Sequence, residues 1–365
     1  MKNIIIFGGG FDPIHNGHMN MAINASNALN AEVFFVPARI SVWKSQSGAT
    51  AIQKIDMINL AIKDAGKENI FHTSDFEANS DKDTNYSIDT VKHFKELFPN
   101  DNLFLLIGTD QVNSFEKWKK AEEIARLSKL IFFPRPGYEL KQENIEHFNM
   151  QQIEGNLIEE SSTAIKNLKS LKIARSVADY IIDKQLYFMP KIKSYMGEKR
   201  YQHSVSVARL AADIAISNKK EDWYRYLRAG LLHDIAKELP IVEQNRLMHE
   251  LFPEYENMPR QIYHQFLGKH LAMKDFELSD EEELEAIEYH TTGKKEMSSV
   301  AKVIYASDKI EPTRGFDSTK LIEKMKVNLD DGFIAVLSAN REYFIQKNIE
   351  YDNTLTKECM EFYLK

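Results

Sequence analysis

A chain of 365 residues is longer than one ordinary domain, and 43% hydrophobic with 28% charged residues is the make-up of a folded globular protein, which excludes a disordered one. The formal net charge of −7 argues against a nucleic-acid-binding surface, while leaving room for local basic pockets that take phosphate. The single cysteine, Cys359, excludes an internal disulfide and a cysteine-based zinc site, and it fits a reducing compartment.

The first apolar run, Ile4-Ile5-Ile6-Phe7, is closed at once by glycines and is too short for the core of a secretory signal. No stretch approaches the roughly 18 apolar residues that a bilayer span requires. A cytoplasmic protein with no membrane partner is expected. Residues 4–7, 32–36, 70–74, 103–107 and 130–133 read as short buried strands. Between them, residues 19–29, 52–65 and 87–97 carry apolar side chains at helical spacing, and residues 170–187 read as a last helix. Alternating strands and helices predict an α/β domain of Rossmann-like kind, with a parallel sheet and ligands outside the carboxyl ends of its strands.

Beyond Pro190 the strand signal stops. Residues 204–217, 223–236, 242–251, 262–274, 281–290 and 299–310 have helical patterns, which predicts an all-α second domain. The linker is placed at residues 184–190, dividing the chain into domains 1–187 and 188–365.

The loop Gly8-Gly9-Gly10-Phe11-Asp12-Pro13-Ile14-His15-Asn16-Gly17-His18 follows the first strand directly. Glycines let backbone approach a phosphate chain closely, and a helix starting near Gly17, with Asn16 as its expected N-cap, adds partial positive charge. His15 and His18, three residues apart, can face the same phosphate. Two rival phosphate loops are excluded: a dinucleotide fingerprint beginning at Gly8 would need glycine where Pro13 stands, and no G-x-x-x-x-G-K-[ST] occurs.

This loop resembles the G-G-x-F-D-P-x-H-x-G-H signature of bacterial nicotinate-nucleotide adenylyltransferases, within the H-x-G-H nucleotidyltransferase superfamily. Asn85-Tyr86-Ser87-Ile88-Asp89-Thr90, Gly108-Thr109-Asp110 with Trp118, Arg135-Pro136-Gly137 and Ser161-Ser162-Thr163-Ala164-Ile165-Lys166 resemble the family's later motifs. The resemblance implies transfer of AMP from ATP, as its Mg²⁺ complex, to nicotinate mononucleotide, giving deamido-NAD and pyrophosphate. By the same resemblance His15, His18 and Lys44 are catalytic, and Gly8, Gly9, Gly10, Phe11 and Asp12 form the nucleotide loop. Ser162, Thr163 and Ile165 fall beside the triphosphate, Gly108 and Asp110 under the adenosine and ribose, and Arg135 is nucleotide-binding. Tyr86, Ser87 and Trp118 fall around the nicotinate ring; Trp118 reads equally well as an ordinary core residue. The family usually has P-H-K where this chain has Val42-Trp43-Lys44, and a final arginine where it has Lys166. Nicotinamide mononucleotide and phosphopantetheine therefore stay open as acceptors.

In the second half His203, the pair His233-Asp234, His264, His290 and Asp308 form an ordered set in helical stretches. Imidazole with carboxylate suits divalent iron, manganese or zinc. The order resembles HD-domain metal phosphohydrolases, in particular those that split diadenosine tetraphosphate symmetrically into two ADP. The resemblance implies one metal on His203, His233, Asp234 and Asp308 and a second on Asp234, His264 and His290, iron or manganese being expected. Asp234 is then also catalytic, and Lys237, one turn after His233, meets a substrate phosphate. A nucleotide-sensing module that binds without hydrolysis is the alternative. The expected partners are small nucleotides, namely ATP, nicotinate mononucleotide and a dinucleoside polyphosphate, and a homo-oligomer stays open.

Overall fold

The computed structural model describes residues 1–39, 48–80, 85–134, 137, 139–155, 158, 160–348 and 353–365. The expected site residues Lys44 and Arg135 lie outside the described residues. Backbone packing divides the chain into two compact units, Met1–Lys166 with Lys172–Tyr187, and Asn167–Leu171 with Phe188–Lys365.

In the first unit the run at residues 4–7 is the middle of β1 (Asn3–Gly9), where Ile4, Ile5 and Ile6 are fully buried. A strand covered on both faces is apolar throughout, with no alternation. β2 (Ala31–Pro37), β3 (Phe71–Thr73), β4 (Asn102–Ile107), β5 (Lys129–Phe132) and β6 (Gln151–Gln152) complete a sheet in the order β3-β2-β1-β4-β5-β6. Every pairing is parallel. The sequence reading has no counterpart for β6, because two residues leave no periodicity to detect.

The longer helices of the unit are α1 (Asn16–Leu29), α2 (Ala51–Asp64), α3 (Ser87–Leu97), α4 (Ala121–Leu127) and α5 (Arg175–Asp183), beside short ones at Thr109–Val112, Gln142–His147 and Ser162–Lys166. α2 opens with a reciprocal capping box between Thr50 and Gln53. α1 is capped by His15, not by the expected Asn16. His15 is still extended, at φ −144° and ψ 171°, so its Nδ1 reaches forward to accept from the His18 amide at 3.3 Å. The strand order reverses between β1 and β4, and the crevice above such a reversal is where open α/β sheets take ligands.

The expected helix over residues 170–187 is shorter, running only from Arg175 to Asp183. Residues Asn167–Leu171 belong to the second unit, where Leu168 and Leu171 are fully buried. There Arg228 Nη1 donates to the carbonyls of Lys169 (2.6 Å) and Leu168 (3.3 Å). The same guanidinium grips Glu283 with two bonds of 2.7 and 2.5 Å. Leu171, inside the expected helix, is fully buried in the second unit, so the start of the helical pattern is given up to packing there.

The second unit is helical throughout its described residues: α6 (Glu198–Ser217), α7 (Trp223–Leu232), α8 (Ile241–Leu251), α9 (Tyr263–Phe276), α10 (Glu281–Tyr289), α11 (Ser299–Ile310), α12 (Thr319–Val327), α13 (Leu329–Gln346) and α14 (Thr354–Tyr363), with short turns between. Its core gathers Tyr226, Tyr305, Met325, Phe333 and the apolar face of α11. Among the described residues no helix is long and apolar enough to cross a membrane.

α6 and α7 cross at Gly230. A Cβ there would stand 2.5 Å from the Ala208 Cα and 2.9 Å from its nitrogen, so only glycine permits this approach. Gly230→Ala is expected to lower stability by about 1–3 kcal/mol through overpacking. An unchanged thermal unfolding midpoint for the variant would refute this account of the crossing.

Candidate active sites

In the first unit, β1 delivers Gly8 and Gly9 to the crevice beside β4, and the loop turns back so that α1 points its amino end into the same space. A cavity of about 560 Å³ opens there, with His15, His18, Gly108, Asp110, Trp118 and Ser162 among its walls. Gly8, Gly9, Phe11 and Ser87 also line it. The His15 and His18 rings stack with centroids 3.6 Å apart, and Phe11 meets the His18 ring edge-on at 5.0 Å. Gly17 is required by a close approach: a Cβ would lie 2.8 Å from the Ile158 carbonyl oxygen and 3.1 Å from the His15 ring. Ser162 Oγ donates to the Pro13 carbonyl at 3.0 Å, tying the late serine motif to the first loop. Two imidazoles, a helix amino end and serine hydroxyls make a site suited to a polyphosphate.

Gly10, Asp12, Tyr86, Thr163 and Ile165 are not among the residues that line this cavity. Asp12 is committed to the protein: Oδ1 accepts from the Ala49 amide (3.0 Å) and the Tyr187 hydroxyl (2.8 Å), and Oδ2 pairs with Lys166. Burial and the adjacent Asp12 carboxylate hold the Tyr187 hydroxyl protonated, well above the usual phenol range. Ile165 is fully buried in the core, and its amide donates to the Ser161 carbonyl. Tyr86 is exposed, with Lys119 Nζ 3.8 Å from its ring centre. Trp118 both lines the cavity and packs on Phe115, at 5.1 Å between ring centres, so its two readings coexist.

Glu77 and Lys54 belong to no sequence motif. Glu77 lines the cavity, accepts from the Thr90 hydroxyl at 2.5 Å, and is pushed above the usual carboxylate range by burial. Lys54 is fully buried on α2 and donates to the Ala38 carbonyl at 2.7 Å; burial lowers its basicity. Both are single charged residues in unremarkable stretches, and nothing in their spacing marks them.

In the second unit five elements deliver the predicted donors to one point. His203 lies on α6, Asp308 on α11 and His264 on α9, while His233 and His290 are the residues that end α7 and α10. His233 Nδ1 donates to the Gly230 carbonyl at 2.7 Å, and His290 Nδ1 donates to the Ile287 carbonyl at 2.8 Å. A carbonyl only accepts, so each Nδ1 carries the proton and each Nε2 is left with a lone pair. Asp308 Oδ1 stands 3.1 Å from His203 Nε2 and 3.8 Å from His233 Nε2. Asp234 turns Oδ2 toward His233 and His203, at 3.6 and 3.9 Å, and Oδ1 toward His264 and His290, at 3.3 and 3.4 Å.

These separations fit a metal centre. Donors about 2.1 Å from a shared cation stand roughly 3.0–3.4 Å apart; the His203–Asp308, Asp234–His264 and Asp234–His290 separations lie in that range, and those to His233 and from Asp234 to His203 are a few tenths of an ångström longer. Buried Asp234 Oδ1 and His233 Nε2 make no well-directed hydrogen bond, and acceptors facing acceptors call for a cation. Burial also lowers His233 to about 4 and holds His264 well below the usual imidazole range, so both are neutral, as ligands must be.

Around the donors the structure adds residues that the sequence reading leaves unassigned. Glu311 is buried and accepts from His203 Nδ1 at 3.0 Å. Arg200 Nη1 donates to Asp234 Oδ2 at 2.6 Å, Lys309 Nζ to Asp308 Oδ2 at 2.8 Å, and Arg314 reaches Asp308 as well. Spacing carries a signal for two of them: Arg200 precedes His203, and Glu311 follows Asp308, by three residues. Lys237 Nζ lies 3.1 Å from His264 Nε2. Outside the cluster, His72, His147 and His249 each pair with a glutamate, and His93 stacks on Phe76.

Comparison with known proteins covers both units. The cytidylyltransferase-like family model matches residues 6–168, and the HD domain model matches residues 200–313. A Mycoplasma genitalium protein named "probable nicotinate-nucleotide adenylyltransferase/Ap4A hydrolase" is 32% identical over 92% of this chain and 97% of its own. A Mycoplasma pneumoniae protein of the same name is 29% identical over 94% of this chain and 100% of its own. A Clostridium botulinum protein named "probable nicotinate-nucleotide adenylyltransferase" is 35% identical over 52% of this chain and 96% of its own. With both domain types present in order, and a relative matched along nearly its whole length, the chain belongs to the bifunctional family of nicotinate-nucleotide adenylyltransferase/Ap4A hydrolases.

Proposed function

We propose that the chain carries two catalytic domains, residues 1–187 and 188–365, acting on two nucleotide substrates. The first transfers AMP from ATP to nicotinate mononucleotide, and the second hydrolyses diadenosine tetraphosphate to two ADP. The observation that carries this reading is similarity to the Mycoplasma genitalium protein running through both halves. Both reactions use small nucleotides of the cell interior, so the proposed compartment is the cytoplasm.

In the first reaction a phosphate oxygen of the acceptor attacks the α-phosphorus of ATP. The bond from that phosphorus to the α,β-bridging oxygen breaks, and pyrophosphate leaves. Such a transfer needs in-line positioning and stabilised charge more than covalent help from the protein. His15, His18 and the α1 amino end supply donors at the phosphates, Mg²⁺ arriving with ATP as part of the substrate. Gly108 and Asp110 border the adenosine, and Ser87 and Trp118 the pyridine ring. By motif position alone, Lys44 is assigned a catalytic role and Arg135 nucleotide binding. Gly10, Asp12, Tyr86, Thr163 and Ile165 are assigned to the nucleotide site by their motifs alone.

In the second reaction His203, His233, Asp234 and Asp308 hold one divalent metal, and Asp234, His264 and His290 hold another, iron or manganese suiting this mixed set. When bound, such metals supply a nucleophilic water at neutral pH and neutralise phosphate charge. The chain's part is orientation: Glu311 fixes the His203 ring, the Gly230 and Ile287 carbonyls fix His233 and His290, and Lys237 meets a neighbouring phosphate. Water adds to one of the two central phosphorus atoms, and the bond to the oxygen between them breaks.

Pyrophosphate release from ATP is expected with nicotinate mononucleotide in preference to nicotinamide mononucleotide, and His18→Ala should slow it about 10²–10³-fold. Absence of turnover with either pyridine nucleotide would sink this reading. Asp234→Ala should abolish ADP formation from diadenosine tetraphosphate while pyrophosphate release persists; loss of both would mean a fold defect. Glu311→Ala should weaken metal binding about 10–100-fold in chelator competition. Unchanged metal affinity would reduce Glu311 to an anchor for Thr313, whose amide and hydroxyl it accepts at 2.7 Å.

A further inference from the structure

A second, smaller cavity of about 210 Å³ adjoins the histidine–aspartate centre, bounded by Lys237, Ile241, Gln244, Arg260, Gln261 and His264. His264 belongs to both, being a donor of the centre and a wall of the cavity. Lys237 Nζ, 3.1 Å from His264 Nε2, stands on the border between them. A phosphate chain lying across the donors therefore meets Lys237 as it leaves, and the group attached to its end enters the cavity. Drug-sized ligands occupy about 300–1,000 Å³, so this space suits one ring system and not a whole nucleotide.

The lining states what ring. Ile241 is 52% exposed at the first residue of α8, an apolar surface offered to a flat face. Gln244, one turn on, is nearly buried, and its Nε2 donates to the Leu239 carbonyl at 2.8 Å. That bond fixes the amide orientation and turns Oε1 into the remaining group, an acceptor that selects an N–H edge. The exposed Arg260 brings a planar cation that stacks on an aromatic ring or pairs with phosphate.

We propose that this cavity is the nucleobase subsite of the metal centre, taking the base of one purine nucleoside diphosphate half of the substrate. This rests on the reading of the second unit as a dinucleoside polyphosphate hydrolase, and it assigns Ile241, Gln244 and Arg260 to base recognition and Lys237 to the adjoining phosphate.

The test is equilibrium titration of the full-length, metal-loaded protein with ADP and, separately, with pyrophosphate, which has the phosphates and no base. Ile241→Glu alters an exposed position, and Gln244→Leu removes the acceptor; binding at the first unit is common to all proteins and cancels in the comparison. Each variant is expected to weaken ADP binding about tenfold, the worth of roughly one hydrogen bond or one apolar face, with pyrophosphate binding and metal content unchanged. Unchanged ADP affinity in both variants, or an equal loss for pyrophosphate, would overturn the subsite. Turnover of diadenosine tetraphosphate by the unaltered protein is scored separately. Turnover without the ADP effect removes the subsite alone, whereas the ADP effect without turnover removes the reaction and leaves a base-binding site.

Discussion

The Asp234 carboxylate is buried with its two oxygens turned to different histidines, Oδ2 toward His203 and His233, Oδ1 toward His264 and His290. An uncompensated carboxylate in such a place is costly, and a single positive partner does not satisfy both oxygens. Neutral imidazoles with their lone pairs inward do not supply that charge: Arg200 pairs with Oδ2, and the donor set that α6, α7, α9 and α10 bring together, with α11 adding Asp308, suits a cation for the rest. Much of the helical unit follows from that demand. α7 and α10 both stop at a histidine whose ring turns back onto the helix's own carbonyls, so the helix end itself aims each Nε2 inward. The tight α6–α7 crossing at Gly230 serves the same end, since Gly230 also provides the carbonyl that holds His233.

The two units meet the problem of phosphate charge by opposite means. On the proposed reading, the anion in the first would face fixed dipoles and imidazoles at a helix amino end, and the one acidic residue of the loop, Asp12, is occupied by Lys166, Tyr187 and the Ala49 amide. In the second, acidic residues are gathered at the centre, where they suit metal cations that in turn suit the anion. Arg200, Lys237, Lys309 and Arg314 then form a cationic surround to a carboxylate core. The formal charge of the chain thus says little about its ligands, because the charges that matter are local.

Much of this was legible in sequence, for physical reasons. Strands covered on both faces leave unbroken apolar runs, and the donor set of the second unit has an order that chance seldom produces. The turn into α1 was legible because a close backbone approach restricts residue choice at Gly17, in its first turn. What escaped depends on contacts distant in sequence. Asp12 matches the loop motif, yet its oxygens are taken by residues 37, 154 and 175 positions away. Ile165 sits inside the serine motif but points into the core. Glu77 and Lys54 gain their character from burial, which no local pattern announces. The helix expected over residues 170–187 has a true helical core at 175–183, and the chain before it is drawn into the second unit, where distant partners hold residues 168, 169 and 171.

Those partners bear on how the chain can be divided. Arg228 holds Glu283 and also the carbonyls of Leu168 and Lys169, which belong to the short segment Asn167–Leu171. The polypeptide enters the second unit for five residues, returns to complete the first with Lys172–Tyr187, and only then passes on. A fragment beginning at residue 188 would keep the arginine and the glutamate but forfeit both carbonyls, along with buried Leu168 and Leu171. The two activities are separable by point substitution in a way they are not by scissors: no single cut yields two whole bodies.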